Sequence, residues 1–416
     1  MTRRAPESDH TPAPRVLHVV ESWRPLPSGY ASRSWWIVTG QRRLGISRPS
    51  VLVTSRQSTY GDAPPAPAAG IVLTALAPSA TERRRRPNRP FFVDRVHLRE
   101  AIVRAARVAD ARLIHVHWSS AIGCAAADAA QELGIALVAE VRFDLAGAMN
   151  AQLFRGRMAP AEAGLRRWFE RHLKRADAVT AASEVLAGLL RRQGLRVTAV
   201  PNGVDADFLS ACDAAAARRT AAPGGRVMLG TTSKMLRYEH LDAFFAVLRA
   251  VPETDATFVG DGPESSRLKA LAQAFAPGRV TFTGRVPAEK IPDRLAAMDL
   301  FLVPRENETI TRFAGPIKVV EAMAAGRCVV GSAVGETVSL LAGGRGVLVP
   351  PGNVAPLVHA VQTLAADPDR RGRLGAAARA YARDTLAGDA LLQRYAGVYA
   401  RAMRGRPVDP PPERNR

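Results

Sequence analysis

Cysteine, aromatic residues and long apolar runs are all scarce in this chain of 416 residues. The three cysteines, Cys124, Cys212 and Cys328, are odd in number and widely separated. A disulfide framework and a Cys-x-x-Cys metal site are therefore excluded, and we interpret all three as small buried thiols.

No uninterrupted apolar run approaches the ~20 residues that a membrane-spanning helix needs. The first residues, MTRRAPESDHTPAP, are partly basic, but the apolar run that follows them, RVLHVV, is far too short for the core of a signal peptide. We therefore expect a cytosolic protein with a disordered leader over residues 1–14.

Acidic residues are fewer than basic ones, with 38 Asp and Glu against 58 Lys and Arg, a formal charge of +20. The densest basic cluster lies between Arg83 and Phe92, where four arginines precede Phe91. It fits a nucleic-acid patch, an anionic lipid surface or a solvated charge run. The aromatic pair favours lipid, since apolar rings enter the headgroup boundary. No nucleic-acid reading element accompanies the charge, so we expect no nucleic-acid partner.

Short β-branched runs alternate with longer Ala/Leu/Arg-rich helical stretches along the whole chain, which predicts parallel sheets with crossover helices. Seven such runs precede an Ala/Arg/Gly-rich stretch and six follow it. The predicted fold is α/β, with two facing Rossmann-like doubly wound domains and a cleft between them. The predicted boundaries are leader 1–14, N-terminal domain 15–203, linker 204–226, C-terminal domain 227–385, a helix over 386–404 that packs back on the N-terminal domain, and tail 405–416.

Ligands of such sheets bind beyond the carboxyl ends of the strands, so chemistry is expected in the loops there. In GTTSKMLRYEHLD, Lys234 and Arg237 follow a strand and stand at or just before a predicted helix start. Backbone N–H groups, the positive helix end and two cations together would grip a diphosphate. The plainer alternative is two solvent-facing cations.

The segment GPIKVVEAMAAG predicts a helix with Pro316 in its first turn, where a missing N–H costs nothing. Gly315 would let the helix end approach a phosphate or a sugar closely. Glu321 would accept both hydroxyls of a ribose. Because buried glutamates need a partner, Lys318 either pairs with Glu321 as a helix salt bridge or reaches the ligand itself.

Three weaker candidates lie in other strand-end loops. Gly260 in VGDGPE and Gly29 in SGY permit a close approach of the backbone, although a plain turn would look the same. His117 ends the strand IHVHW and would bond a sugar hydroxyl or transfer a proton, although a lone histidine is more often structural.

No metal ligand set is evident, since there is no Asp-x-Asp at a strand end in the first half and no histidine cluster. We therefore predict no metal and no cofactor, with diphosphate charge neutralised by Lys234, Arg237 and helix ends.

Taken together, these loops resemble the family-4 retaining glycosyltransferases of GT-B architecture, from Arg15 to about Arg404. The matching pieces are VLHVVE, LIHVHW, ADAVTAASEVLAGLL, VTAVPNGVD, YEHLDAFFAVLR, FVGDGPESSRLKALA, VTFTGRVPAEKIPDRLAAMDLFLVP, EAMAAGRCVV and GRGVLVPPGN. The forms YE-x-LD, VPR and Pro-x-Lys-x-x-Glu are those of bacterial members that build exopolysaccharide or other surface glycans.

The resemblance implies that a sugar moves, with retention, from a UDP- or GDP-linked donor to a lipid-linked or growing glycan. It implies that Glu321 holds the ribose, that Lys234 and Arg237 hold the diphosphate, and that the turn at Arg285 and Val286 contacts the base.

The resemblance also implies that Gly29 approaches the donor and that His117 lies beside the transferred sugar. One position departs from the family's pattern: its usual pair is Glu-x(7)-Glu, and Phe313 stands eight residues before Glu321. We expect Glu306, Glu308, Arg312 or Lys318 to take over the role of that glutamate beside the donor sugar, and we predict Lys318 and His117 as the catalytic residues.

Two functions fit this departure. The first is a metal-independent glycosyltransferase on the inner face of the membrane, held there by the Arg83–Phe92 region. The second is a catalytically silent GT-B homologue that acts as a scaffold for another glycosyltransferase.

Overall fold

The computed structural model of the protein describes residues 12–26, 28–60, 64–85, 93–118, 120–144, 146–147, 159–218 and 225–404. Residues 1–11 of the expected leader, the tail 405–416 and residues 86–92 of the basic cluster lie outside this part of the chain. Among the described residues, no helix combines the length and the apolar character needed to span a bilayer.

The thirteen strands within the described ranges fall where the β-branched runs predict them. They are β1 (Arg15–Val20), β2 (Arg48–Val53), β3 (Val72–Ala75), β4 (Leu113–His117), β5 (Ala136–Val141), β6 (Ala178–Ala181), β7 (Val197–Ala199), β8 (Val227–Thr232), β9 (Thr254–Val259), β10 (Val280–Gly284), β11 (Leu300–Val303), β12 (Cys328–Ser332) and β13 (Val347–Val349). Central strands such as β4 and β5 are buried throughout, because helices cover both faces of the sheet.

The helices that connect and cover the first sheet are α1 (Gly29–Arg43), α2 (Gln57–Tyr60), α3 (Ala80–Arg85), α4 (Arg95–Val108), α5 (Ser120–Leu133), α6 (Ala159–Leu173) and α7 (Glu184–Arg192). The rest of the chain adds α8 (Ala206–Ala217), α9 (Ala243–Ala250), α10 (Ser265–Phe275), α11 (Ile291–Ala296), α12 (Thr309–Phe313), α13 (Ile317–Ala324), α14 (Thr337–Leu341), α15 (Val354–Ala366), α16 (Pro368–Thr385) and α17 (Gly388–Met403). Two 3-10 turns cover Arg237–Glu239 and Ala288–Lys290.

The described strands form two all-parallel sheets, with orders β3-β2-β1-β4-β5-β6-β7 and β10-β9-β8-β11-β12-β13. Each order reverses at one place, between β1 and β4 and between β8 and β11. Such a reversal opens a crevice at the carboxyl ends of the strands, where α/β proteins bind ligands. The predicted fold class, two doubly wound domains, is confirmed.

Two segments at the domain boundary have structure of their own. The segment 204–226, predicted as a linker, contains helix α8, whose N-cap Asp205 accepts a hydrogen bond from the Phe208 N–H group. Helix α17 contacts α1, β5 and β6 of the first domain. Its buried residues recur at helical spacing and face that domain: Leu391, Leu392, Tyr395, Val398, Tyr399 and Ala402.

Candidate active site

The loop after β8 carries the two cations predicted to bind a diphosphate. Lys234 lies in that loop and Arg237 opens the 3-10 turn, whereas helix α9 begins only at Ala243. The two cations thus stand at or just before a 3-10 turn, which precedes the α-helix. Both side chains are exposed, and Lys234 Nζ lies 6.0 Å from the centroid of the Tyr30 ring of the first domain. Lys234 thus faces the cleft.

Two glycines that follow β9 pack closely against the backbone of that loop. A Cβ on Gly260, whose φ is +124°, would lie 2.0 Å from the Ser233 carbonyl oxygen, and one on Gly262 would lie 1.6 Å from that of Lys234. Any side chain at these positions would displace the loop. The structure therefore gives Gly260 a packing role, while its predicted contact with the nucleotide stays a prediction.

Helix α13 carries Glu321, the predicted ribose ligand. The helix begins at Ile317, and Pro316 is its N-cap with ψ of 90°, so Pro316 precedes the first helical turn instead of lying in it as predicted. Glu321 is half-buried, and none of the hydrogen bonds or ion pairs among the described residues involves its carboxylate. Burial raises the pKa of Glu321 to about 7, although Lys318 opposes this shift.

Lys318 has a different partner from the one weighed in the sequence. Its Nζ donates to Glu239 Oε2 over 2.7 Å, and Arg305 holds the same carboxylate through Nη2–Oε1 and Nε–Oε2 distances of 3.0 and 3.3 Å. The predicted alternative of a Lys318–Glu321 salt bridge is therefore wrong. Burial raises the pKa of Glu239, but Arg305 and Lys318 outweigh it and bring that pKa to about 2.

Two predicted glycines lie where the domains meet. A Cβ on Gly29, the first residue of α1, would lie 3.3 Å from Ile317 Cγ2. Gly315 packs against the Ala182 carbonyl oxygen, and its own carbonyl accepts a hydrogen bond from Asn202 Nδ2 over 3.0 Å. The structure therefore gives Gly315 a packing role against the first domain, while its predicted contact with a phosphate stays a prediction.

His117 lies at the end of β4 and is buried, with both ring nitrogens engaged. Nδ1 contacts Arg142 Nη2 and lies 3.0 Å from Ser34 Oγ, and Nε2 lies 3.2 Å from His18 Nδ1. Burial lowers the pKa of His117 well below its ordinary value, and Arg142 lowers it further. The described structure thus gives this predicted catalytic residue a protein partner at each of its two ring nitrogens.

The prediction that no histidine cluster exists is wrong, because His18, His115 and His117 come within 4.8 Å of one another through their ring nitrogens. Their hydrogen bonds fit a metal poorly. A guanidinium only donates, so Nδ1 of His117 accepts from Arg142 and the proton resides on Nε2. That proton faces His18 Nδ1, so Nε2 of His117 is not available as a metal ligand in this arrangement.

The next residue of this network is Glu140 on β5, which sequence reasoning missed. Its Oε1 accepts from Arg33 Nε over 3.1 Å and from Arg142 Nε over 2.7 Å, and Tyr395 of α17 donates to Oε2. Burial raises the pKa of Glu140, but Arg33 and Arg142 outweigh it, so the pKa falls well below the ordinary range. A glutamate inside the apolar run IALVAEVR was the signal that could have found it.

Phe313, which stands in place of the family's first glutamate, packs against the core of the first domain. Helix α12 contacts α7 there. Of the proposed substitutes, Arg312 is exposed, and burial together with the neighbouring Glu306 raises the pKa of Glu308. Of the two residues predicted to contact the base, Arg285 is exposed and Val286 packs partly against the second domain's core.

Two family models match the chain. Residues 37–208 match the model described as Glycosyltransferase Family 4, and residues 227–367 match that for Glycosyl transferases group 1. The chain is also 30% identical over 376 residues to a GDP-mannose-dependent alpha-mannosyltransferase of Mycolicibacterium smegmatis, which covers 88% of this chain and 92% of that protein. This chain belongs to the family-4 and group-1 glycosyltransferases.

Solved structures of other proteins share the fold of this glycosyltransferase. Sucrose-phosphate synthase from Thermosynechococcus elongatus superimposes with a TM-score of 0.72 at 19% identity, over 92% of this chain and 98% of that one. Anabaena HepE in complex with UDP-glucose gives a TM-score of 0.70 at 20% identity, over 92% and 99% of the two chains. Both are GT-B-type neighbours and support the two-domain architecture.

Proposed function

We propose that this glycosyltransferase moves a hexosyl group from a UDP- or GDP-linked sugar to a lipid-linked or growing glycan, with retention and without a metal ion. The observation that carries the proposal is the Glu321 carboxylate, which is half-buried and has no hydrogen-bond partner among the described residues. A buried carboxylate without a partner is costly, and two ribose hydroxyls would satisfy it.

The exposed cations Lys234 and Arg237 supply the second element of the proposal. In the transfer, the bond between the anomeric carbon and the diphosphate oxygen breaks, and its electron pair leaves with the diphosphate. The acceptor oxygen bonds to the same carbon from the same face and gives its proton to the leaving phosphate oxygen. Stabilising the charge on that diphosphate is the main catalytic task, and it falls to these two side chains.

The names of two relatives support GDP-mannose as the first donor to test. The Mycolicibacterium smegmatis relative and one from Mycobacterium tuberculosis are both called GDP-mannose-dependent alpha-mannosyltransferases. HepE was solved with UDP-glucose, so UDP-linked sugars stay in the panel.

Attachment to an anionic inner-membrane surface is also part of the proposal. Arg83, Arg84 and Arg85 are exposed at the end of α3, which supports it. Binding to vesicles with and without anionic lipid tests it, since a peripheral basic surface requires the anionic fraction.

Calorimetric titration with GDP, UDP and their sugars in EDTA tests the donor site. Micromolar binding and donor turnover that persist in EDTA are expected. A strict requirement for a divalent ion would refute the metal-free mechanism. The second candidate, a silent scaffold, is favoured by the packing of Phe313 and predicts no binding of any of these nucleotides.

A further inference from the structure

The cluster of Glu239, Arg305 and Lys318 joins two segments that the proposed function assigns to different parts of one donor. Glu239 ends the 3-10 turn that Arg237 begins. Lys318 lies in the first turn of α13, three residues before Glu321 and on the same helix face. The 2.7 Å contact between Lys318 Nζ and Glu239 Oε2 therefore connects the turn of the diphosphate cation to the helix of the ribose carboxylate.

The connection is shielded from water. The side chains of Glu239, Arg305 and Lys318 are 6%, 8% and 12% exposed. Ionic screening and solvent competition are weak at such a site, so the geometry of the cluster is firmly held. Arg305 follows β11, which neighbours β8 at the point where the sheet order reverses, so the cluster also lies at the expected ligand crevice.

We propose that the Glu239–Lys318 ion pair sets the spacing between the diphosphate-binding turn and the ribose-binding helix, and that Lys318 is a positioning residue that does not contact the donor. The inference rests on the proposed function. One nucleotide must contact Arg237 and Glu321 at the same time. A displacement of about 1 Å between two such groups lowers the reaction rate by up to about 10²-fold.

The pairing also explains why Glu321 is left for a ligand. Lys318 and Glu321 share a helix face, yet the ammonium is committed to Glu239. Moving it to a donor would leave the buried Glu239 with Arg305 alone. The chain thus keeps one carboxylate neutralised by two cations and a second carboxylate open to hydroxyl groups.

Lys318→Met is the first test, because methionine keeps the length of the side chain and leaves the Glu239–Arg305 pair intact. We expect the affinity for UDP or GDP, measured by calorimetry, to fall about 10- to 100-fold. The affinity for inorganic diphosphate, which meets only the cation turn, should not change, and Lys318→Arg should restore most nucleotide binding. Equal losses for nucleotide and inorganic diphosphate would overturn the proposal, because they would place Lys318 on the phosphates.

Glu239→Gln distinguishes the two possible roles of Lys318 by the direction in which the nucleotide affinity changes. A positioning pair predicts weaker nucleotide binding, whereas a donor-contacting Lys318 would be released by this change and would bind the nucleotide as well or better. The matched control is Asp255→Asn, which removes the partner of Arg226 at 2.8 Å at the amino ends of β8 and β9 and should leave binding unchanged. If the unaltered protein binds neither UDP nor GDP, both the proposed function and this inference fall. If it binds and Lys318→Met does not weaken it, this inference falls alone.

Discussion

Among the described residues, Glu140 of the first domain and Glu239 of the second are each buried between two cations, and beside the second of these clusters lies Glu321, a carboxylate without a hydrogen-bond partner. In the first domain, Glu140 is held by Arg33 and Arg142, and Tyr395 takes its remaining oxygen. In the second, Glu239 is held by Arg305 and Lys318.

Among the described residues, the two clusters differ in whether a neighbouring carboxylate is left without a hydrogen-bond partner. Glu140 and Glu239 have lowered pKa values because cations surround them, whereas burial raises the pKa of Glu321 to about 7. A saturated network stabilises and positions, while an unsaturated buried group is poised for a ligand. On this ground we propose that the Glu321 side chain contacts the donor and that the His117 network positions the scaffold.

The largest expected effect tests the structural half of this comparison. Glu140→Gln leaves the Arg33 and Arg142 guanidinium groups buried beside a neutral amide. Removing one partner of a buried ion pair costs about 3–5 kcal/mol, so the free energy of unfolding of the first domain, measured in urea, should fall by that amount. Glu100→Gln is the control, since its pair with Arg104 is exposed and 3.9 Å long and contributes less than about 1 kcal/mol. Equal changes in the two variants would show that Glu140 is not a saturated structural group.

The next effect tests the other half of the comparison. Glu321→Gln removes the charge that accepts two ribose hydroxyls, and we expect nucleotide-sugar affinity to fall about 100-fold, with no loss of stability. Calorimetry measures the affinity and urea unfolding the stability, with Glu100→Gln again as the control. A large loss of stability without a change in affinity would show that Glu321, like Glu140, is a structural group and does not bind the donor.

The sequence predicts the sheets and the loops at the ends of their strands because both depend on local pattern. Buried parallel strands read as β-branched runs, and the ends of those strands carry Lys234, Arg237 and the Glu321 helix, where a doubly wound sheet binds ligands. Helix boundaries are less secure: the 3-10 turn at Arg237 and the N-cap position of Pro316 depend on backbone angles that residue types leave open.

The ion-pair partners could not be read from the sequence for a different reason. Lys318 and Glu239 are 79 positions apart, and His18 and His117 are 99 apart. Which residues meet depends on strand order and register, and no spacing rule reaches across such separations. The nearest opposite charge on the helix, Glu321, was therefore the natural candidate for Lys318 until the fold supplied Glu239.

The smallest expected effect is a pH dependence that belongs to the open carboxylate alone. A carboxylate accepts two ribose hydroxyls only when ionised, so with a pKa of about 7 its protonation at lower pH competes with the donor. Between pH 8 and pH 6 the affinity for a nucleotide sugar should fall about tenfold. The sugar-linked diphosphate is the right probe, since a terminal phosphate would itself titrate near pH 6.

Two groups near Glu321, one on its own helix and one on α8, do not interfere with this measurement. Lys318 is held by Glu239, and the thiol of Cys212 on α8 has a pKa of about 12 because of burial. Glu336, whose pKa burial also raises to about 7, lies at the contact between the domains. Glu321→Gln separates the two carboxyl groups, because its affinity should be flat over this range if Glu321 is the titrating group. A dependence that survives in this variant would transfer the effect to Glu336 and to the closure of the domains around the donor.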